Sequence, residues 1–392
     1  MPAIHDLRQF EMSPERGFLP VAYPIGELPL RFLAWDEMGR DLPKLLVCDH
    51  VRPAVDAMAV LDAGGLETQP QRERAMMLLS YFAHAYVWGG GQAGSASAEQ
   101  VAKHLPASIS VPWSKIAAQL GRPAVLSYAS YALHNWRRID SDGPIALGNI
   151  ALRQNFLGGL DEEWFILVHV DIEAKAAAAL AAFGPAFDAV REDDAEMLTR
   201  QLGAVRQSLE QMCATLDRMP QRCDPYIYFH RVRPYLYGWK NQPALPDGMI
   251  YDGAYEGRPQ KYRGETGAQS GIVPCLDALL GIRHADDPLR EYLLEMRDYM
   301  PPAHRAFLEA AEAGPSVRDY VHRRASQPAL QEAFNACVGL VHRFRATHLE
   351  YAAIYIHKQQ RTSEANPNDV GTGGTPFMPY LKKHRDETTG LG

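Results

Sequence analysis

The residue with the clearest opening for chemistry is His348, in the run FNACVGLVHRFRATHLEYAAIYIH from Phe334 to His357. A helix turns about 100° per residue, so Val341, Phe344, Arg345, Tyr351, Ala352 and Tyr355 share its side. An imidazole on such a stripe is either a hydrogen-bonded core histidine or a ligand aimed at something flat and apolar. A haem asks for one axial imidazole on a helix, apolar walls and cations for its propionates. Arg345 offers the cation one turn before His348. Asp277 offers a partner to hold that guanidinium, or else belongs to a surface salt bridge.

Three further pieces suit the same kind of site. In YFHRVR, Arg233 follows Phe229 by four residues, so on a helix a ring and a guanidinium share a face. With Tyr228 they suit an aromatic ligand whose carboxylate is gripped in bidentate fashion. His169, inside WFILVHVDI, is either a neutral core histidine or a second imidazole across the cofactor from His348. GTGGT (Gly371 to Thr375) is either a slack connection or a lid that closes over a pocket and excludes water. RGETGAQS (Arg263 to Ser270) has the same two readings, with backbone N–H groups available to a propionate. No H-E-x-x-H, G-x-S-x-G, P-loop or G-x-G-x-x-G following a strand competes with this set.

The elements that must position these residues read as helices. Residues 1 to about 55 are proline-rich and short of periodicity, as in an arm or loop. Gln71 to Val87 is apolar at helical spacing and ends at the glycines of WGGGQ. LPASISVPW (Leu105 to Trp113) reads as extended, held by its prolines, and Pro123 to Trp136 as helical. The polar turn IDSDGP (Ile139 to Pro144) is the preferred boundary, giving a small domain over 1–143 and a large one over 144–392. In the second part, helices are expected over Trp164 to Phe183 and about Asp193 to Met219, and RGETGAQS reads as a loop entering a helix. With few alternating strands and no internal repeat, the class is all-α.

At 392 residues the chain is long enough to bury a large core. A net charge of −7 without a basic block argues against nucleic acid and anionic lipid as partners, leaving a small molecule. Five scattered cysteines without a C-x-x-C pair disfavour a disulfide framework and a thiolate zinc site. The Ala-rich run from Ala174 to Val190 is too interrupted to span a bilayer, and the first twenty residues lack the apolar region of a signal peptide. These features predict a soluble, cytoplasmic protein.

LPASISVPW, ALHNW (Ala132 to Trp136), RPYLYGWK, GETGAQS, LDALLGIRH, MRDYMPPAHRAFL, RATHLE and GTGGT resemble, in order and spacing, the indoleamine 2,3-dioxygenases, from roughly residue 100 onward. The resemblance implies an all-α protein of two domains that binds haem b (iron protoporphyrin IX). It further implies opening of the pyrrole ring of L-tryptophan or a related indole by O2 to give N-formylkynurenine, with an external reductant keeping the iron ferrous. It makes His348 the proximal iron ligand, places Arg345 near a propionate, and gives the substrate carboxylate to Arg233. Tyr228 and Phe229 fall where the family has two phenylalanines lining the pocket. Tyr128 and Phe165 line it from other helices, and Tyr131 replaces a smaller residue. Thr266 and Gly267 fall in the loop bordering haem and substrate, and Thr372 in the closing loop. At His169 the animal enzymes have serine, whereas the related tryptophan 2,3-dioxygenases place a histidine over the haem. His169 is therefore expected to hydrogen-bond the indole N–H. Two other readings remain: a haem-dependent enzyme of the same superfamily inserting one oxygen atom into a different indole, and a haem-binding sensor without turnover.

Overall fold

The computed structural model describes residues 4–90, 99–360 and 366–389. Helix α1 (Leu33–Val47) lies within the stretch expected to be an arm. It buries Trp35, Met38, Leu42 and Leu46, a helical spacing that Pro43 disguises in the sequence. Helix α2 (Gln69–Trp88) begins at a capping box, in which Thr68 and Gln71 satisfy each other's backbone N–H groups. From Ala75 to Trp88 it is buried on nearly all sides, so it runs through the interior. It ends at Gly89 as expected; Gly91 and Gln92 of the predicted stop lie outside the described residues.

Two strand pairs tie distant segments together. Strand β1 (His104–Leu105) precedes α3 (Ala107–Leu120), and the expectation of an extended LPASISVPW is therefore wrong. Pro106 sits just outside the helix, where a missing N–H costs little. Pro112 is internal and costs about 3 kcal/mol. Burial of Ile109, Trp113 and Ile116, at about 1.5–3 kcal/mol each, outweighs it. The helix expected over Pro123 to Trp136 is instead a π-helical turn, Ala129–Leu133, followed by strand β2 (Trp136–Arg138). Strand β3 (Ile150–Leu152) pairs antiparallel with β2, Trp136 facing Leu152, so the polar IDSDGP segment lies in their connection. The apolar cluster runs without a break from Ile4 to Tyr355, across that segment.

Helix α4 (Leu160–Ala181) starts with Asp161, Glu162 and Glu163, which suit the positive end of its dipole. Glu162 also accepts the backbone N–H groups of Phe156, Leu157 and Gly158. Helix α5 (Ala195–Leu216) is capped by Asp194, which accepts from the Met197 N–H at 2.8 Å. Strand β4 (Ile250–Tyr251) runs parallel to β1. Helices α6 (Ile272–Leu280), α7 (Pro328–Ala352) and α8 (Met378–Thr388) complete the frame, with α7 packed on α5 and α8, and α5 on α4. No helix of the described residues is long and apolar enough to cross a membrane. The architecture is all-α with short strand pairs, as expected.

Candidate functional site

Helix α7 carries His348 into an interior cleft. Its side chain has open surface even though protein surrounds it, the combination shown by a residue that lines an internal space. It has no hydrogen bond among the described residues, so it is not the satisfied core histidine that the sequence allowed. Burial pushes its pKa down to about 4, with His169 adding to the shift, so the ring is neutral at pH 7. A neutral imidazole with an uncommitted lone pair is what an iron ligand must be.

One turn earlier, Arg345 is buried and held. Its Nη2 donates to Asp277 Oδ2 at 2.6 Å and its Nη1 to Thr388 Oγ1 at 2.7 Å, joining α7 to α6 and α8. Asp277 is thus the buried partner of that guanidinium. Behind the pair, His284 bridges Asp277 Oδ2 at 3.1 Å and Glu387 Oε2 at 2.7 Å, and its ring stacks on His384. Burial alone would raise the Asp277 carboxyl; Arg345 and His284 outweigh it and hold it below the usual range.

On α4, the His169 Nδ1 lies 2.7 Å from the Phe165 carbonyl oxygen. A carbonyl only accepts, so Nδ1 carries the hydrogen and Nε2 keeps a lone pair. Burial lowers the pKa of this ring too. His169 is half-buried, with Phe165 at 4.7 Å and Tyr128 at 6.0 Å between ring centres. Phe165 in turn meets Tyr228 at 4.6 Å and Tyr131 at 6.4 Å. The structure therefore gathers Tyr128, Tyr131, Phe165, His169 and Tyr228 into one aromatic slot. Tyr128 donates to Glu173 Oε1 at 2.9 Å, while the buried Tyr131 hydroxyl has no partner among the described residues.

Each of three π-helical turns among the described residues carries an aromatic side chain of this region: Tyr131 in Ala129–Leu133, Tyr228 in Tyr228–Val232 and Tyr355 in Ala353–His357. Such turns insert one extra residue into a helix and re-aim its side chains, and they gather at functional sites. Tyr355 packs 5.8 Å from Tyr228 and gives its hydroxyl to the Cys223 carbonyl, so it backs the slot.

Arg233 is fully buried, and Phe229 lies under its guanidinium at 5.3 Å. Its Nη1 donates to Asn366 Oδ1 at 2.5 Å and to the Pro367 carbonyl at 2.7 Å; its Nη2 donates to the Val370 carbonyl at 2.5 Å. These partners lie after α7, and no local pattern in the chain marks them. Buried Nε has no partner among the described residues, and Nη2 carries a second hydrogen. One edge of the guanidinium is thus still able to take a carboxylate.

The GTGGT loop is folded down rather than slack. Thr372 Oγ1 donates to the Glu265 carbonyl at 2.5 Å and Arg263 Nη1 to the Gly373 carbonyl at 2.7 Å. Its own turn closes through Gly371 N to Thr375 O at 2.8 Å. A Cβ at Gly264 would lie 2.2 Å from the Leu236 carbonyl and 2.7 Å from that of Thr372, so only glycine admits this approach. Thr266 caps the following short turn by accepting from the Ala268 N–H, and Gly267 is exposed beside it. Glu265, inside RGETGAQS, is buried, although a polar glycine-rich stretch reads as exposed loop. A separate cleft of about 830 Å³, lined by Arg8, Arg16, Tyr23, Arg138 and Lys175 among others, shares no residue with this site.

The family model described as indoleamine 2,3-dioxygenase matches residues 6–391, including the first hundred residues, where the sequence resemblance was weak. Indoleamine 2,3-dioxygenase 1 of Rattus norvegicus is 35% identical over 395 residues, covering 97% of this chain and 94% of its own. Indoleamine 2,3-dioxygenase 2 of Homo sapiens is 34% identical with the same coverage. Indoleamine 2,3-dioxygenase of Saccharomyces cerevisiae is 34% identical, covering 97% of this chain and 92% of its own.

Proposed function

The chain belongs to the indoleamine 2,3-dioxygenase family, and from that premise we propose that this dioxygenase opens the pyrrole ring of L-tryptophan, or a close indole, to N-formylkynurenine. The observation that carries the reading is the neutral, unbonded imidazole of His348 lining an interior cleft within electrostatic reach of His169. Donor set and surroundings fit haem b, which His348 would hold through its free nitrogen, with Arg345, kept in place by Asp277, as the cation that would offset a propionate. Haem, when bound and kept ferrous by an external reductant, supplies the iron at which O2 is activated.

The protein's own part is positioning. The rings of Tyr128, Phe165 and Tyr228 form the slot that holds the indole plane. The Nε–Nη2 edge of Arg233 takes the carboxylate, which fixes the ring along the slot; this placement is a large share of the rate enhancement. His169 Nε2, left free because Nδ1 donates to the Phe165 carbonyl, accepts the indole N–H and orients the ring without removing the proton, since burial lowers the basicity of the ring. Thr372 and Gly373, seated on the Arg263–Glu265 segment, keep water out.

A second reading rests on Tyr131, whose buried, unpartnered hydroxyl narrows the slot and suits a different indole taking a single oxygen atom. Turnover by the reduced, haem-supplied protein under labelled O2 separates the two. Two labelled atoms in N-formylkynurenine support dioxygenation; one supports the second reading. No product from tryptophan overturns the first reading, and no oxygenated product from a panel of indoles, tryptophan included, overturns both. We also place the protein in a reducing compartment such as the cytoplasm, on its five free cysteines.

A further inference from the structure

The cleft of about 830 Å³ that is separate from the aromatic slot lies where three distant parts of the chain meet. The N-terminal arm supplies Arg8, Arg16 and Tyr23. Strand β2 and the polar segment after it supply Arg138 and Gly143, and α4 supplies Lys175. Its size is that of a small-molecule site.

Two of its guanidiniums are fixed on one ring. Arg16 Cζ lies 3.9 Å and Arg138 Cζ 4.4 Å from the centre of Tyr23. Main-chain carbonyls alone tie down the two forks. Arg16 Nη1 donates to those of Pro20 at 2.9 Å and Val21 at 2.6 Å, and Arg138 Nη1 to that of Gly143 at 2.8 Å. Neither arginine makes an ion pair among the described residues, and the Nε and Nη2 hydrogens of both are uncommitted there. Both side chains are half-buried, unlike a loose, fully solvated surface cation.

The neighbouring carboxylates do not answer this charge. Asp6 is spent on the Arg8 main-chain N–H at 3.2 Å and the Gln9 amide at 3.0 Å. Asp188 is spent on His5 at 2.8 Å and Arg191 at 2.9 Å. Glu15, exposed at the rim, pairs with neither arginine among the described residues. Lys175 reaches Asp171 only at 3.8 Å. Cations thus collect here in a chain whose net charge is −7. Like charges held on one ring repel each other, and an anion that bridges them relieves the repulsion. Because both forks are already immobilised, that anion pays little to order them.

We infer that this cleft binds a compact polyanion bearing at least two oxyanion groups, phosphate or carboxylate, which bridges the Arg16 and Arg138 guanidiniums. Their free Nε–Nη2 edges have the geometry for bidentate capture of such groups, and Arg8 and Lys175 add attraction from the other walls. Arg16 belongs to the arm and Arg138 to β2, so the bound anion staples the arm to the body. The inference does not depend on the proposed function.

The test is titration calorimetry of the full-length, haem-loaded protein with pyrophosphate and with citrate, at a constant ionic strength of about 0.15 M set with sodium chloride. Saturable one-to-one binding of either anion is expected, and which of them binds tells phosphate from carboxylate ligands. The bound anion should also slow amide exchange across residues 5–23. Arg138→Gln should weaken binding about tenfold, the weight of a charge-assisted bond. Tyr23→Leu keeps every charge but releases both guanidiniums, and it should weaken binding about fivefold or more. Should either variant fail to fold, Arg8→Gln decides in its place, with an expected loss of about threefold; the Arg8 side chain makes no bond among the described residues. The site is overturned if neither anion binds saturably up to about 10 mM. It is equally overturned if Arg138→Gln or Arg8→Gln binds as tightly as the unmutated protein. Full affinity in Tyr23→Leu would also overturn it, since that marks diffuse surface attraction rather than a built site.

Discussion

Arg233 donates to the main-chain carbonyl of Val370 at 2.5 Å, bridging 137 positions of chain to hold the segment beyond α7 against the aromatic slot. With Asn366 and Pro367 as further acceptors, the same guanidinium both anchors this segment and presents a free edge to the slot. In the proposed function, the guanidinium assigned to the substrate carboxylate is thus also the one that seats this segment.

Replacing Arg233 by Ala should consequently do two things at once. The KM for tryptophan should rise about tenfold to a hundredfold, the weight of a charge-assisted bond of roughly 1.5–3 kcal/mol. Amide hydrogen exchange across residues 366–375 should also accelerate, because the Val370 carbonyl loses its donor and the Asn366 and Pro367 oxygens are left to the Tyr237 hydroxyl. Steady-state kinetics and exchange mass spectrometry check the two arms. Normal exchange with a raised KM would mean the segment is held without Arg233, by Tyr237, Asn241, Arg263, Thr372 and the Asn366 amide on the Phe229 carbonyl.

How much of this was readable beforehand depends on the range of the interaction. The His348 face of α7 and the Arg345 cation one turn away follow from helical periodicity, a local property of the sequence. The partners of Arg233 lie far along the chain, and no local pattern encodes them. The burial of Glu265 is masked differently: the glycines of RGETGAQS are those of a mobile loop by composition, whereas Gly264 lets three backbone segments meet. LPASISVPW misled because proline is a poor guide where aromatic and aliphatic burial is large enough to override it.

His348→Ala should give a protein that retains no haem in the histidine-ligated form, read as loss of its Soret band after desalting. Added imidazole should restore part of that band, since the interior cleft remains and only the ligand atom is missing. A variant that keeps five-coordinate histidine character unaided would assign the iron to another side chain.

The His169 ring should act through its lone pair on Nε2. 1-Methyltryptophan, which has no indole N–H to give, should therefore turn over much more slowly than tryptophan in the unmutated protein. His169→Ala should erase most of that discrimination while lowering kcat for tryptophan about tenfold to a hundredfold, as for loss of one buried hydrogen bond to a charged or polarised group. Equal rates for the two substrates in the unmutated protein would remove this role from His169.

Gly264→Ala tests the convergence beneath the loop. The new methyl would sit 2.2 Å from the Leu236 carbonyl and 2.3 Å from the Gly238 nitrogen, both main-chain atoms that cannot swing away. Overpacking of this kind costs about 1–3 kcal/mol, and here it should also unseat Thr372 from the Glu265 carbonyl. The expected outcome is a lower Tm together with faster proteolysis within 366–375. Unchanged values of both would show that the backbones meet less closely in solution.

The network behind Arg345 sets a pH window for stability. Asp277 and Glu387 are both held below their ordinary values of 3.8 and 4.5, because their cationic partners outweigh burial. Their contributions are present above those values and are lost as pH falls through the lower folded ones. His284 runs the other way: burial lowers it, but Asp277 and Glu387 win and raise it above 6.5. Its contribution is full below 6.5 and is lost as pH climbs through the raised value. The network is accordingly complete between about 4.5 and 6.5. A Tm profile of the unmutated protein should decline on the alkaline side of that window, and His284→Gln should flatten that decline while also shrinking the acid limb, since His284 is one of the partners that lower Asp277 and Glu387. Asp277→Ala should be far more damaging at every pH, by about 3–5 kcal/mol, because it strands a buried guanidinium that joins α7 to both α6 and α8. An alkaline limb unaltered in His284→Gln would show that His284 does not change its protonation on folding.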